Sequence, residues 1–347
     1  MDRRTLLKSA AALAAPAIVL PVSAQNPVKL RLHTFVPATS NVYSKVITPW
    51  MQKIEKDSGG RIQFEGYASM QMGGSPAQLY DQSRDGVVDV IWSLAGYTPG
   101  RFPRTEVFEL PFFTYDGEGA SRAAWEYVAA NAADEFRDVK LLACHMHGLN
   151  ILHMKNKVIR SAAELKGLKV RGPSRRATQF LANVGAVPVG MPLPAIPDAL
   201  SKGVIDGAII PWDTVPAAKL DELTRFHTEF PAGMPGFNNS IQFLTMNRAR
   251  YEGLPPDLKK VIDNNSGADV SAMYGRVIAM ADPVVRKAVV DRGNTVHVVG
   301  KAETEEFIKL TEPVTADWVK EVSAKGFDGN KLLAEARSLI QRHRPKA

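Results

Sequence analysis

The chain has 347 residues, 45% of them hydrophobic and 23% charged, with 26 Gly, 23 Pro and a single Cys, the proportions of an ordinary globular protein. Disorder, collagen and a disulfide scaffold are excluded, and at roughly 150 residues per domain the length gives two domains, each able to bury a core unaided. The 43 basic and 36 acidic side chains leave a net charge of +7 spread along the sequence, without the basic run or aromatic interleaving that a nucleic-acid partner requires.

Residues 1–24 join a basic start to an apolar stretch from Ala10 to Leu20 and the small-x-small ending Val22-Ser23-Ala24. This is the pattern of a cleaved signal peptide, with an apolar stretch too short for a bilayer that takes about 20 residues to cross. Arg3-Arg4-Thr5-Leu6-Leu7-Lys8 resembles a twin-arginine export signal, an ordinary Sec leader being the alternative. No later stretch approaches the length of a membrane span, so the expectation is an exported bacterial protein of the periplasm, not itself embedded in a membrane.

Val28–His33 alternates apolar and polar and reads as a strand, and Ser40 can cap the helix carrying Val42, Val46, Ile47 and Trp50. After Ser58-Gly59-Gly60 a second alternating run, Arg61–Tyr67, is followed by a helix from about Ser75 to Asp85, Gly86 as its stop, and the strand Val87–Trp92. Such βαβα alternation predicts a mostly parallel sheet covered by helices. Asp81–Gly86-Val-Val-Asp89 is echoed by Asp198–Gly203-Val-Ile-Asp206 at identical spacing, which supports two lobes built on similar units, chance being the alternative. Further on come strand-like pieces at Ile151, Lys157–Ile159 and Leu168–Arg171, a helix at Ser161–Lys166 and another at Pro173–Val184. Then follows a long helical stretch, Pro256–Arg292, that Pro283 should kink or divide. Helices at about Lys301–Ala324 and Asp328–His343 finish the chain.

The chemistry-bearing motifs of hydrolases, phosphate loops, zincins and dinucleotide folds are missing. His145-Met146-His147 would put two imidazoles on one side of a strand and is the residual metal candidate, against a structural role in packing or hydrogen bonding. Arg171 ends an apolar strand in Leu168-Lys-Val-Arg-Gly-Pro173, where a guanidinium can enter a cleft and grip a carboxylate with two parallel hydrogen bonds. The alternative is an arginine paired to a surface acid. Arg175 and Arg176, at a helix start, read as solvated. Trp212, after Ile209-Ile210-Pro211, can cover the apolar part of a ligand or plug the core, and Trp92 and Tyr97 after the equivalent strand share that ambiguity.

Taken in order, these segments resemble the periplasmic solute-binding proteins of TRAP transporters, in the dicarboxylate-receptor (DctP-type) family. Ser58-Gly-Gly-Arg-Ile62 looks like the family's S-G-G-[KR]-[IV], Gly86-Val-Val-Asp89 like G-x-[IV]-D, and Phe108-Glu-Leu-Pro-Phe-Phe113 like F-x-L-P-F-[FL]. Glu164-Leu-Lys-Gly-Leu-Lys-Val-Arg171-Gly-Pro173 resembles [ED]-L-K-G-L-K-[IV]-R-x-P, and Ala199-Leu-x-x-Gly203-Val-Ile-Asp206-Gly207 resembles A-L-x-x-G-x-[VI]-D-G. The resemblance implies an α/β, two-lobed periplasmic binding protein of type II-like architecture. Lobe I would be 25–148 plus 238–276 and lobe II 149–237 plus 277–347, with hinge crossings and a long helix spanning both. It implies a receptor, not an enzyme, that closes on a small organic acid and hands it to the small and large membrane subunits of a permease. Arg171 matches the family arginine that pairs with the ligand carboxylate.

Three departures make the expected pocket less polar. Ile210 stands where many relatives have a ligand-facing Asn, Leu94 where sialic-acid-binding relatives have an acid, and Ile151 near where those relatives carry a second arginine. The expected ligand is a monocarboxylate with an apolar or aromatic body, held by Arg171 with Trp212 alongside. Ile210, Trp92, Leu94, Tyr97, His33, Leu193 and Asn239 complete the expected contacts. No cofactor is expected, Asp213 keeping a bridging cation open. The rival functions are a secreted enzyme acting on an organic acid and a ligand-sensing partner of a membrane receptor.

Overall fold

The computed structural model describes residues 26–345, and the signal peptide lies outside the described residues. Eleven strands form two sheets among these residues. In chain order they are β1 (Val28–Thr34), β2 (Ile62–Tyr67), β3 (Val90–Leu94), β4 (Val139–His145), β5 (Ile151–Met154) and β6 (Lys169–Gly172). β7 (Val187–Gly190), β8 (Gly207–Ile210), β9 (Phe226–Glu229), β10 (Gln242–Asn247) and β11 (Thr295–Val298) follow. The first sheet has the order β2-β1-β3-β10-β4 and the second β11-β9-β5-β8-β6-β7.

Each sheet is parallel except for one strand. β10 runs antiparallel to β3 and β4, and β5 antiparallel to β8 and β9. Those two strands follow the two crossings between the sheets, at 146–150 and 230–241, so each enters its sheet from the edge at which the parallel strands end. The ends of the parallel strands and the starts of β5 and β10 therefore meet along one cleft, where α/β sheets bind ligands. The crossings are tied together: the Asn150 N–H donates to the Asn238 carbonyl at 3.2 Å, and Asn239 Nδ2 donates to the His147 carbonyl at 3.0 Å.

The repeated segment has a physical role in both sheets. Gly86 and Gly203 take φ of +75° and +69°, a left-handed turn that Gly adopts without steric cost. Three residues on, Asp89 accepts the Arg31 N–H of β1 at 2.8 Å, and Asp206 accepts the Lys169 N–H of β6 at the same distance. Each aspartate thus ties the strand it precedes to a parallel neighbour. Beyond it β3 and β8 are buried throughout, as strands covered on both faces must be.

The C-terminal third departs from the sequence expectation. The long stretch is three helices, Pro256–Asn264, Ala268–Ala279 and Asp282–Asp291, with Pro283 inside the first turn of the last, where its missing N–H costs nothing. Ala268–Ala279 packs on the helix Glu118–Asn131 of the first lobe, whereas Asp282–Asp291 packs on the 212–214 turn of the second, so the chain passes between lobes a third time at Met280-Ala281. The Lys301–Ala324 region breaks before Pro313 into Lys301–Lys309 and Glu312–Ala324. The last helix, Gly329–His343, expected with lobe II, lies instead against Glu118–Asn131, with Arg342 and His343 both reaching Glu126.

Candidate ligand-binding site

A cavity of about 580 Å³, its solvent mouth included, lies in the cleft between the lobes. Phe35, following β1, and Trp92 and Leu94 on β3 line it from the first lobe; Arg171 on β6, Ile210 on β8 and Leu193 line it from the second. Apart from Trp92, in the middle of β3, each sits at or near a strand end or just beyond it, so the edge rule that positions the cleft also selects most of its walls.

Arg171 is 2% exposed. Its Nε donates to the Met191 carbonyl and its Nη1 to the Ile209 carbonyl, both at 2.9 Å, while Nη2 is buried without a partner. The surface-acid alternative fails, because no carboxylate among the described residues pairs with it. Burial pulls the guanidinium below its ordinary pKa, with the neighbouring Tyr97 hydroxyl acting in the opposite sense. That hydroxyl accepts the Leu193 N–H at 2.9 Å, which leaves its own hydrogen free of any partner among the described residues. A buried cation whose polar contacts are neutral groups is costly until an anion reaches it.

Of the residues expected at the site, Arg171, Ile210, Trp92, Leu94, Tyr97, Leu193 and Asp213 all line the cavity. Three do not. Trp212 turns into the second lobe, where its indole donates to Glu229 Oε1 at 2.8 Å and packs against His153 and His227. Tethered there, it lines a neighbouring cleft and plugs the core. His33 is fully buried between the Gln82 amide, at 2.7 Å, and the Met72 N–H, at 3.3 Å, which occupy both ring nitrogens. Asn239 spends its side chain on the crossing strands, accepting from Ser240 N and donating to the His147 carbonyl. Arg175 and Arg176 are also corrected: rather than solvated, Arg176 is 0% exposed, and both pair with Glu106 of the first lobe and Glu321.

The histidine pair read as a metal candidate has two separate fates. His145 donates from Nδ1 to the Met146 carbonyl and accepts the Trp92 indole N–H at Nε2, at 2.9 Å, so both nitrogens are used. His147 donates from Nδ1 to the Gly148 carbonyl and lines the cavity. Burial lowers both, to about 3 and about 4, with the Arg171 charge acting in the same direction on His147, so each is neutral near pH 7. Asp213 has Asp282 against it, its N–H donating to Asp282 Oδ1 at 3.0 Å. Burial raises Asp213 well above its ordinary value and Asp282 to about 7. No group of three or more His, Cys, Asp or Glu among the described residues is placed to share a metal ion.

The sequence reading missed Phe35, Val36 and Val42, which wall the cavity, and the Asn150, Ser240 and Gln242 side chains at its crossing-strand end. Phe35 carried a usable signal, standing two residues after the first predicted strand. Gln242 carried none, because its place depends on β10 entering the sheet antiparallel.

The family model for bacterial extracellular solute-binding proteins, family 7, matches residues 32–321. Among solved structures, a TRAP solute-binding protein from Rhodoferax ferrireducens T118, crystallised with copurified benzoate, is 52% identical. The alignment covers 91% of this chain and 98% of that one, with a TM-score of 0.90. A marine metagenome TRAP solute-binding protein from an unidentified microbe, specific for aromatic acid ligands and holding 3-hydroxybenzoate, is 43% identical over 92% of this chain and 100% of that one, with a TM-score of 0.90. A third, from Bordetella bronchiseptica with bound (R)- and (S)-mandelate, is 30% identical over 91% and 99% of the two chains, with a TM-score of 0.84.

Proposed function

The chain belongs to family 7 of the bacterial extracellular solute-binding proteins, and from that premise we propose that it is the periplasmic receptor of a TRAP-type transporter for an aromatic monocarboxylate. It is a solute receptor and not an enzyme. One observation carries the ligand class: Arg171 is buried in the cleft with an unpartnered Nη2 and no carboxylate among the described residues paired with it, while Phe35, Val36, Leu94, Leu193 and Ile210 give the cavity a broad apolar wall. A carboxylate supplies the missing counter-charge through paired hydrogen bonds, with the Tyr97 hydroxyl free to add another. A planar hydrocarbon body then fills the space between Phe35, Val36, Leu94, Leu193 and Ile210. Among the lining residues Arg171 is the one side chain charged positive at neutral pH, so a second carboxylate would meet no counter-charge. Monocarboxylates are favoured over dicarboxylates on that ground, and the acid is held by protein groups without a bridging cation.

Walls drawn from both lobes mean that the acid makes its full set of contacts only in the closed form, so binding shifts the lobes toward closure. The closed receptor then delivers its acid to the small and large membrane subunits of the permease. A thermal-shift screen of organic acids tests the reading, with Arg171→Ala alongside. Benzoate at a hundredfold excess over its dissociation constant is expected to add about 2.7 kcal/mol of stability to the native protein and nothing to Arg171→Ala. Stabilisation by succinate or a sugar acid, with none by benzoate, 3-hydroxybenzoate or mandelate, would overturn the ligand class.

A further inference from the structure

Beside Arg171 the cavity carries hydrogen-bond acceptors that no protein group supplies. The Nδ1 of His147 faces a carbonyl, which can only accept, so its proton sits on Nδ1 and the neutral ring presents Nε2 as a bare lone pair. That Nε2 has no hydrogen-bond partner among the described residues. In His145, two residues earlier and of the same tautomer, the equivalent nitrogen is filled by the Trp92 indole. Gln242 lies directly across from His145 in the β4–β10 pair, lines the same cavity, is 5% exposed and has its Oε1 buried without a partner. Asn150 Oδ1, also on the cavity wall, is buried and unpartnered as well. Arg171 lines the same cavity as His147, Gln242 and Asn150, so a carboxylate on the guanidinium brings the atoms next to it towards these acceptors.

We propose that the acid this receptor is built for carries a hydroxyl group near its carboxylate, and that His147, with Gln242, accepts that hydroxyl's hydrogen and so selects hydroxylated acids over their parents. The inference rests on the aromatic-acid reading above and sharpens it. A bare aromatic acid satisfies Arg171 but leaves buried acceptors unpaired or dependent on trapped water, and a site built to bond a hydroxyl discriminates against the analogue that lacks one.

Titration calorimetry of the purified protein with two matched pairs, benzoate against 3-hydroxybenzoate and phenylacetate against mandelate, reads this selection directly. 3-Methoxybenzoate is the control that keeps the oxygen and loses the donor. At least one hydroxylated acid is expected to bind tenfold or more tighter than its parent, and the methyl ether is expected to gain nothing. In His147→Phe that ratio is expected to fall to within threefold; in His147→Gln, which restores an acceptor, part of it returns. The methyl ether and the Gln variant keep the test alive if the Phe variant folds poorly. A ratio near one in the native protein, or an undiminished ratio in both variants, would overturn the inference while leaving the aromatic-acid reading intact. Absence of heat with all four acids would sink that reading, and this inference with it.

Discussion

Arg171 and Arg176 stand on either side of the turn that opens the helix Arg175–Asn183, and both are all but sealed from solvent, at 2% and 0% exposure. Arg176 carries its counter-charge within the chain, its Nη2 meeting Glu106 at 3.2 Å and Glu321 at 2.6 Å. The contacts of Arg171 are with carbonyls. Two buried cations a few residues apart thus do opposite work. One is charge-balanced by an ion network that joins the lobes, and the other is left without a counter-charge, which is supplied from outside. A desolvated charge is tolerable when paired and costly when alone, so the unpaired one marks the site.

The largest effects should separate the two. Arg171→Met is expected to weaken binding of an aromatic acid by about 2–5 kcal/mol, the usual result of removing one side of a buried charge pair. Stability without ligand should hold or rise, since an uncompensated charge has gone. Arg176→Met is expected to do the reverse. It strands Glu106, whose side chain is 2% exposed, with Arg175 as its one remaining cation, and should cost roughly 3 kcal/mol of stability while changing affinity far less. Urea unfolding and titration calorimetry on both variants measure the crossover. Equal losses of binding with no loss of stability in either would erase the distinction.

Acidity sharpens the same contrast, because different groups titrate beside each arginine. Around the ligand cavity and the second-lobe core, burial lowers His145 to about 3, His147 and His227 to about 4, and holds His153 well below its ordinary value. The unfolded chain takes up these protons below about 6.5 and the folded chain resists them, so the stability they represent is complete above that pH and drains away as pH falls towards 4. Near Arg176, burial raises Glu109 to about 8, with the Glu106 charge acting in the same direction, and at the second-lobe wall Asp282 rises to about 7. Here the folded chain keeps protons that the unfolded chain releases above about 4, so stability present in acid is lost as pH rises towards 8. The expected urea midpoint peaks at mildly acidic pH and declines on both sides, since a tenfold change in a group's proton affinity on folding is worth about 1.4 kcal/mol. Glu109→Gln should flatten the alkaline limb and leave the acid limb standing. A profile level from pH 5 to 8 in the native protein would contradict these assignments.

How much of this was legible in the sequence follows from how local each feature is. The parallel strands, their glycine stops and the position of Arg171 at a strand end rest on short segments, and alternation reveals them. Ile210 and Leu94 could be placed by motif spacing alone. Trp212 could not, because its direction depends on Glu229, His153 and His227, residues brought near by the pairing of β5 with β8 and β9. Arg176 misled for the same reason: Glu106 and Glu321 lie 70 and 145 residues away in the sequence and become its partners when the lobes and the C-terminal helices meet. Gln242 and Asn150 reach the cavity through the antiparallel entry of two strands, which no local pattern announces. Periodicity gives the walls of a lobe, whereas what faces across a cleft is set by topology.

The smallest predicted effect bears on the likeness of the two lobes themselves. Asp89 and Asp206 each accept a backbone N–H of the neighbouring parallel strand, so truncating either to Ala should cost about 1 kcal/mol, the net worth of such a bond. Asp89 additionally meets Arg31 at 3.4 Å and Arg250 at 3.3 Å, both of them partly exposed. Partly exposed pairs contribute a few tenths of a kcal/mol at most, so Asp89→Ala should exceed Asp206→Ala by no more than that, and added salt should close the gap. Urea unfolding at low and high ionic strength makes the comparison. If both variants unfold at the native midpoint, the repeated aspartate is decoration and the echo in the sequence has no structural meaning. A loss of similar size from each would instead make it the same strand-fastening device used once in each lobe.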